Sequence, residues 1–491
     1  MNYLDLTIEE MHEAIKNNLV TPKELAKEAV DRAFKYQEEY NSFVTILDDS
    51  IKDADNLDGN IDSPLYGIPY ALKDNFSTKG ILTTASSNIL KDDVPFFDAT
   101  IVEKLKSNNA ICIGKTVLDE LAMGGSGTTG NTGIVRNPWD KNRYIGGSSA
   151  GSAAAVALGI VPYAIGSDTG DSIRKPAAFG GLVGFKPTYG RISRFGLFPF
   201  ACSLDHVGCF TRSVKDTAYV IDALKGEDYK DMTSLPNDNI SYAKELTNDI
   251  KGKKLFYIKE IVDLDSATPE VLETLTNFHQ VLDKCRDMGA TVTEVSFDKQ
   301  LLNAILPAYF TISCAEATSN NANLTGISFG PRGDGKSIED MMFDARSKGF
   351  SELIKRRFII GSYVLLKENQ EKLFLYAGRI RRLIVDKMTE LYKEYDALIL
   401  PSSGGIAPLF GSDMDKLSDR YLLLENHMAI GNFGGFPSIT IPSGFINNMP
   451  IAVNITGPIL KDKEVLDIAY AIETSLGLKN IMAKGGIHNE L

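Results

Sequence analysis

The chain has 491 residues, 43% of them hydrophobic and 24% charged, which is enough apolar material for one large domain or two or three smaller ones. Its 64 acidic and 52 basic side chains leave a net charge of −12, which argues against this chain alone gripping a nucleic-acid backbone, since phosphate contacts need clustered Lys and Arg. Cys112, Cys202, Cys209, Cys285 and Cys314 form no CxxC pair and no metal-ligand spacing, so a reducing compartment and five buried small hydrophobes are expected.

In chain order, Met1 to Met11 carries Asp5, Glu9 and Glu10 without a basic start or apolar run, which reads as no signal peptide and a cytosolic protein. Thr21-Pro22-Lys23-Glu24 is a capping box with Pro at the first helical position, and Leu25, Ala26, Ala29, Val30, Ala33 and Phe34 mark one helical face. Residues 1–60 are therefore read as an N-terminal helical cap. From Pro64 to Leu224 the composition turns to Gly, Ala and Ser with short apolar runs at Ala110 to Ile113 and Leu182 to Phe185, as buried strands and close-packed helices require. Ala153 to Gly166 is the most apolar stretch, but Pro162 breaks it and it falls short of the ~18 residues of a membrane span. Residues 61–225 are expected to form a catalytic core and 226–395 a mostly helical insertion. Within the latter, a helix over Pro269 to Met288 (Val271, Leu272, Leu275, Phe278, Val281, Leu282, Cys285) leads through Gly289 into a strand over Ala290 to Phe297. Strands return at Ala397 to Leu400, Ser438 to Ile441 and Pro450 to Ile455, so residues 396–491 are assigned back to the core sheet. One α/β domain over 1–491 is preferred to a string of modules.

Two glycine patterns carry no cofactor. Gly125-Ser126-Gly127-Thr128-Thr129-Gly130 has dinucleotide-site spacing, yet no helix can open at the Gly133 and Pro138 that follow. Gly114-Lys115-Thr116 resembles the end of a phosphate loop whose first glycine is here Asn109. Both are read as tight turns.

Three other segments can support chemistry: Gly67 to Asn75 with Lys73, Gly146 to Ser152 with Ser148 and Ser149, and Gly166 to Arg174 with Ser172. His12, His206, His279, His427 and His488 all lie outside them, so a Ser/His/Asp triad is hard to assemble. A helix through Ala153 to Leu158 and a strand through Tyr163 to Ile165 would bring the second and third segments together. Lys73 sits among Ile68, Ala71 and Leu72; burial disfavours its charged form and would make it a base. Neutral Lys73 would then draw a proton through Ser148 from Ser172, which attacks an amide carbonyl. Backbone N–H groups of the turn around Thr169, Gly170 and Asp171 would hold the oxyanion.

These segments resemble the amidase signature family, over about residues 5 to 475. The resemblance implies an α/β fold with a large mixed sheet flanked by helices on both faces, and a triad of Lys73, a cis-serine at Ser148 and the nucleophile Ser172, with Ser149 in support. Asn137 to Asp140, Gly184 to Gly196, Ser203-Leu204-Asp205, Lys230 to Ser234 and Lys355-Arg356-Arg357 before Gly361 are similar to one branch of it, the glutaminase subunits of tRNA-dependent amidotransferases. That likeness implies glutamine as substrate and ammonia passed to partner subunits B and C, which would hold tRNA, ATP and Mg; this chain itself would carry no cofactor, metal or membrane contact. It also implies a substrate loop at Met123, Gly124 and Gly125, and Arg357 for the α-carboxylate, with Arg356 as rival. Glu425, where an aspartate is usual, is implied for the α-ammonium. Two departures accompany it: Asp171 stands where glycine is usual and Lys175 where glutamine is, which suggests an acid paired with Lys175 or Arg174. A stand-alone amidase and a non-catalytic scaffold are the alternative readings.

Overall fold

A computed structural model describes residues 2–264, 267–412, 418 and 420–483. Its framework is one mixed sheet of 11 strands: β1 (Phe43–Ile46), β2 (Pro69–Lys73), β3 (Ile111–Thr116), β4 (Tyr163–Asp168), β5 (Val183–Lys186), β6 (His206–Thr211), β7 (Lys254–Ile258), β8 (Thr291–Val295), β9 (Ala397–Pro401), β10 (Ser438–Ile446) and β11 (Met449–Thr456). The spatial order is β1-β3-β2-β4-β6-β5-β10-β11-β9-β7-β8. Strands from both ends of the chain thus build one surface: β10 joins β5 antiparallel, with Ser438 opposite Lys186. Helices flank the sheet on both faces, and the apolar core runs continuously from Leu4 to Ile472. The stretch 226–395, read as mostly helical, also supplies β7 and β8 at one end of that sheet.

Local sequence explains the elements. Thr21 and Glu24 form the reciprocal cap, and the helix Pro22–Tyr40 follows with Leu25, Ala26, Ala29, Val30 and Ala33 buried. Phe34, expected on that face, is instead exposed, as is Leu272 in the helix Pro269–Asp287. Each lies at the margin of its apolar stripe, beyond the reach of the sheet. Strands β2 and β4 are buried along their whole length, which is why they read as apolar runs without alternation. Gly114-Lys115-Thr116 is strand, not turn. Gly114 is required because a Cβ there would lie 2.5 Å from the Thr45 carbonyl of β1, while Lys115 is buried against Asp74 at 3.2 Å. The cysteine expectation fails at two of five positions: Cys202 is exposed and Cys112 half-buried, whereas Cys209, Cys285 and Cys314 are buried. Cys202 lies in a loop held through its carbonyl, which accepts from Tyr189 Oη and Arg194 Nη1, so its side chain is free to face outward. No described helix is long and apolar enough to cross a membrane.

Candidate active site

Parallel pairing places the site. β2 lies between β3 and β4, with Leu72 opposite Ile165, so Lys73 at the end of β2 stands beside the end of β4. The chain leaves β4 at Asp168, turns through Thr169 to Ile173 and enters the helix Arg174–Gly180. Ser148 and Ser149 precede the fully buried helix Ala150–Ala157, whose small side chains pack closely on all sides. The Gly147–Ser148 peptide is cis.

Lys73 Nζ is wholly buried, 2.8 Å from Ser148 Oγ, 2.9 Å from Ser167 Oγ and 3.3 Å from the Ser167 carbonyl. Burial pushes its pKa from 10.5 down to about 7, against the opposing pull of Asp119, Asp168 and Asp205. Asn75 Nδ2 donates to Ser167 Oγ at 3.0 Å. Ser149 Oγ donates to the Ser167 carbonyl at 3.0 Å, and its N–H lies 3.3 Å from the Ser172 carbonyl, which ties the two loops together. Ser172 is 5% exposed, and among the described residues its hydroxyl has no hydrogen-bond partner. The backbone N–H groups of Gly170, Asp171 and Ser172 likewise meet no acceptor there, whereas the next one, of Ile173, donates to Asp168 Oδ2. The turn thus presents free donors and a free hydroxyl together, the arrangement an acyl-transfer site needs.

The turn is clamped from below. Arg174, fully buried, donates to both Asp168 oxygens at 2.9 and 3.1 Å, to the Gly170 carbonyl at 2.8 Å, to Met428 O at 2.7 Å and to Asn432 Oδ1 at 2.6 Å. Burial opposes ionisation of Asp168, but the guanidinium wins and holds its carboxyl well below the usual range. Thr169 Oγ1 donates to Asp205 at 2.7 Å. A second clamp orders the loop at Met123 to Thr129: Asp119 accepts the N–H groups of Ser126, Gly127, Thr128 and Thr129 and the Thr129 hydroxyl. Asp119 N–H in turn donates to the Ser148 carbonyl at 3.1 Å. Within that loop Met123 is buried, Gly124 packs against the Asp119 side chain and Gly125 is exposed. The sequence G-x-G-x-x-G is therefore a wrapping around one carboxylate.

Arg357, on the helix Glu352–Leu365, lays its guanidinium over Phe310 at 4.6 Å and Phe200 at 5.6 Å, and its buried Nη1 has no partner. Arg356 points to solvent. Glu425 accepts from Lys175 Nζ at 2.9 Å and from the Gly404 N–H at 2.9 Å, and Lys175 also donates to Ser402 O. The expected side-chain pairing of Asp171 with Lys175 or Arg174 does not form: both bases are taken, and the Asp171 carboxylate makes no hydrogen bond or ion pair among the described residues. The backbone does close a helical turn there, the Lys175 N–H donating to the Asp171 carbonyl at 2.8 Å, but the Lys175 side chain is drawn away to Glu425 and Ser402 O. Burial pushes the Asp171 carboxyl up to about 6, opposed by Lys175. Of the histidines, His206 lies opposite Asp168 in the sheet, but its ring faces Leu204 O and Asn432, while His427 faces Leu424 O. Neither bonds to Ser148 or Ser172; His488 lies outside the described residues.

Sequence reasoning misses Ser167, Asn75, Asp119 and the Arg174–Asn432 pair. Ser167 is within its reach: it sits in the same segment as Ser172, on the strand that neighbours β2.

Residues 24–466 match the Amidase family, and the chain belongs to it. Its relatives include the A subunit of glutamyl-tRNA(Gln) amidotransferase of Streptococcus thermophilus (strain CNRZ 1066), 38% identical over 483 residues and 97% of each chain. The corresponding protein of Streptococcus pneumoniae (strain ATCC 700669 / Spain 23F-1), of the same name, is 38% identical over 485 residues, again 97% of each. Among solved structures, the A subunit of glutamyl-tRNA(Gln) amidotransferase from Thermotoga maritima superposes with a TM-score of 0.80 at 34% identity, over 96% of this chain and 95% of that one. Native peptide amidase from Stenotrophomonas maltophilia gives 0.81 at 26% identity, over 97% and 98%.

Proposed function

We propose that this chain is the glutaminase subunit of a tRNA-dependent amidotransferase, releasing ammonia from glutamine for the conversion of Glu-tRNA(Gln) to Gln-tRNA(Gln). The chemistry rests on one observation, the buried contact of Lys73 Nζ with Ser148 Oγ. A neutral amine has two N–H donors and one lone pair, and Lys73 has matching neighbours: two oxygens of Ser167 to receive the donors and the Ser148 hydroxyl to fill the lone pair.

In this reading Ser172 Oγ attacks the side-chain amide carbon of glutamine as its proton passes to Ser148 Oγ and the Ser148 proton to Lys73. The carbonyl π pair moves to oxygen, which the N–H groups of the turn at Thr169, Gly170 and Asp171 receive, with Ser149 supporting the loop. Collapse breaks the C–N bond. The Lys73 ammonium returns its proton through Ser148 to the departing nitrogen, leaving ammonia and a glutamyl ester on Ser172. Water then repeats the relay and frees glutamate. Arg357, with an unpartnered donor over two aromatic rings, suits the α-carboxylate. Met123, Gly124 and Gly125 would close over the substrate, and Glu425 would face it.

Partner subunits B and C would supply the tRNA-binding surface that this acidic chain lacks, together with the ATP and Mg site. The 38% identity over 97% of the chain with the amidotransferase of Streptococcus thermophilus supports this reading. The test is glutamine hydrolysis by the purified chain, alone and with subunits B and C, and by its Ser172→Ala variant. Turnover that depends on Ser172 and responds to the partners is expected. Brisk, partner-independent hydrolysis of assorted amides would favour the second reading, a stand-alone amidase, for which the likeness to peptide amidase speaks. No turnover under any condition would leave the third, a scaffold.

A further inference from the structure

Asp171, Lys175 and Glu425 lie close together, and they are not equivalent. Glu425 is neutralised by Lys175 at 2.9 Å, and its second oxygen is occupied by the Gly404 N–H. Lys175 is further anchored to Ser402 O at 3.0 Å. The Asp171 carboxylate has neither a hydrogen bond nor an ion pair among the described residues, and Arg174, its other basic neighbour, is committed to Asp168. Of these three, only the Asp171 carboxylate lacks an ionic partner among the described residues, and it is next in the chain to Ser172.

The surroundings make that carboxylate a receiver. Tyr309 packs on the turn, since a Cβ at Gly170 would lie 2.9 Å from its ring. Tyr309 and Tyr421 each lie near both Asp171 and Arg357, so the unpaired anion and the unpaired cation share one neighbourhood. A ligand carrying both charges would satisfy both ends. An unpaired partly buried carboxylate is costly, and a cation from the substrate would repay that cost on binding.

Building on the glutaminase reading, we infer that Asp171, and not Glu425, binds the α-ammonium of the substrate, which makes Asp171 a specificity-determining residue that selects amides bearing a primary amine. The Lys175–Glu425 pair then acts as a neutral wall holding the loop at Gly404.

The test uses the full chain with Ser172→Ala, which binds but cannot turn over, titrated calorimetrically with L-glutamine and with glutaramate, the same amide without the amine. The parent is expected to prefer glutamine by about tenfold or more. Adding Asp171→Asn should shrink that preference to about twofold or less while leaving glutaramate affinity alone, and Asp171→Glu, which keeps the charge, should retain most of it. A preference that survives Asp171→Asn overturns the assignment while glutamine binding stands. Failure of the parent to bind glutamine, with Ser172-dependent hydrolysis of some other amide intact in the wild type, overturns the glutaminase reading and this assignment with it.

Discussion

If Lys73 is the base, the pH dependence of turnover must report its displaced ionisation. A lysine at 10.5 would be uncharged in about three molecules per ten thousand at pH 7, whereas one at about 7 is uncharged in about half, a gain of about a thousandfold in competent enzyme. The rate constant kcat/KM should climb about tenfold per pH unit below 6 and level off above about 8. Asp171 titrates nearby, at about 6, so the profile is best measured in both wild type and Asp171→Asn; the limb near 7 should persist in both. Lys73→Arg, which cannot shed its proton, should lose about 10²- to 10⁴-fold in kcat together with the limb. Stability offers an independent readout. The unfolded lysine holds its proton up to 10.5 and the folded one only up to about 7, so between those values the unfolded state binds more protons and stability rises with pH. Lys73→Met, measured by urea unfolding, should therefore gain on wild type as pH drops from 10 to 7 and keep a constant advantage below 7. A half-activity point above pH 9, or a Lys73→Arg variant with more than about a tenth of wild-type activity, would refute the reasoning.

Gly147→Ala should abolish activity and destabilise the protein by about 2 kcal/mol or more, because a Cβ would sit 1.9 Å from Asp119 Oδ2, the carboxylate that orders the Met123 to Thr129 loop; near-normal Tm and turnover would show that the loop yields. Arg174→Met leaves Asp168 charged and unpaired in a fully buried site, so a loss of about 3–5 kcal/mol in chemical denaturation is expected, with partial recovery in the Asp168→Asn, Arg174→Met double variant. Glu473 accepts the Val214 N–H at 2.8 Å, and burial raises its carboxyl from 4.5 to about 8. The folded state binds the extra proton between those values, so stability should fall as pH rises from 4.5 to 8; Glu473→Gln should flatten that decline in thermal unfolding, and an unchanged slope would contradict the assignment.

What the sequence discloses, and what it withholds, follows from how each residue is used. The helix Pro22–Tyr40 is legible because its cap is a contact between residues three apart. Lys73, Ser148 and Ser172 are legible because glycine and serine runs are scarce outside tight backbone corners. Ser167 shares a marked segment with Ser172, but its contact with Lys73, like that of Asn75, depends on which strands are neighbours: β3 comes between β2 and β4 in the chain, yet β2 lies beside β4 in the sheet. Phe34 and Leu272 mislead for the opposite reason: helical periodicity gives the direction of an apolar stripe, while its width is set by whatever packs against it. Asp171 and Lys175 illustrate the same limit at the site. Four residues apart, they read as a compensating pair, yet only their backbones meet, the Lys175 N–H donating to the Asp171 carbonyl at 2.8 Å. The Lys175 side chain turns instead to a carboxylate 250 positions later in the chain, and the charge left over stands beside Ser172. An acid and a base that seem to cancel in the linear sequence are thus kept apart by the fold, which joins Lys175 to Glu425 and leaves the Asp171 carboxylate without an ionic partner among the described residues.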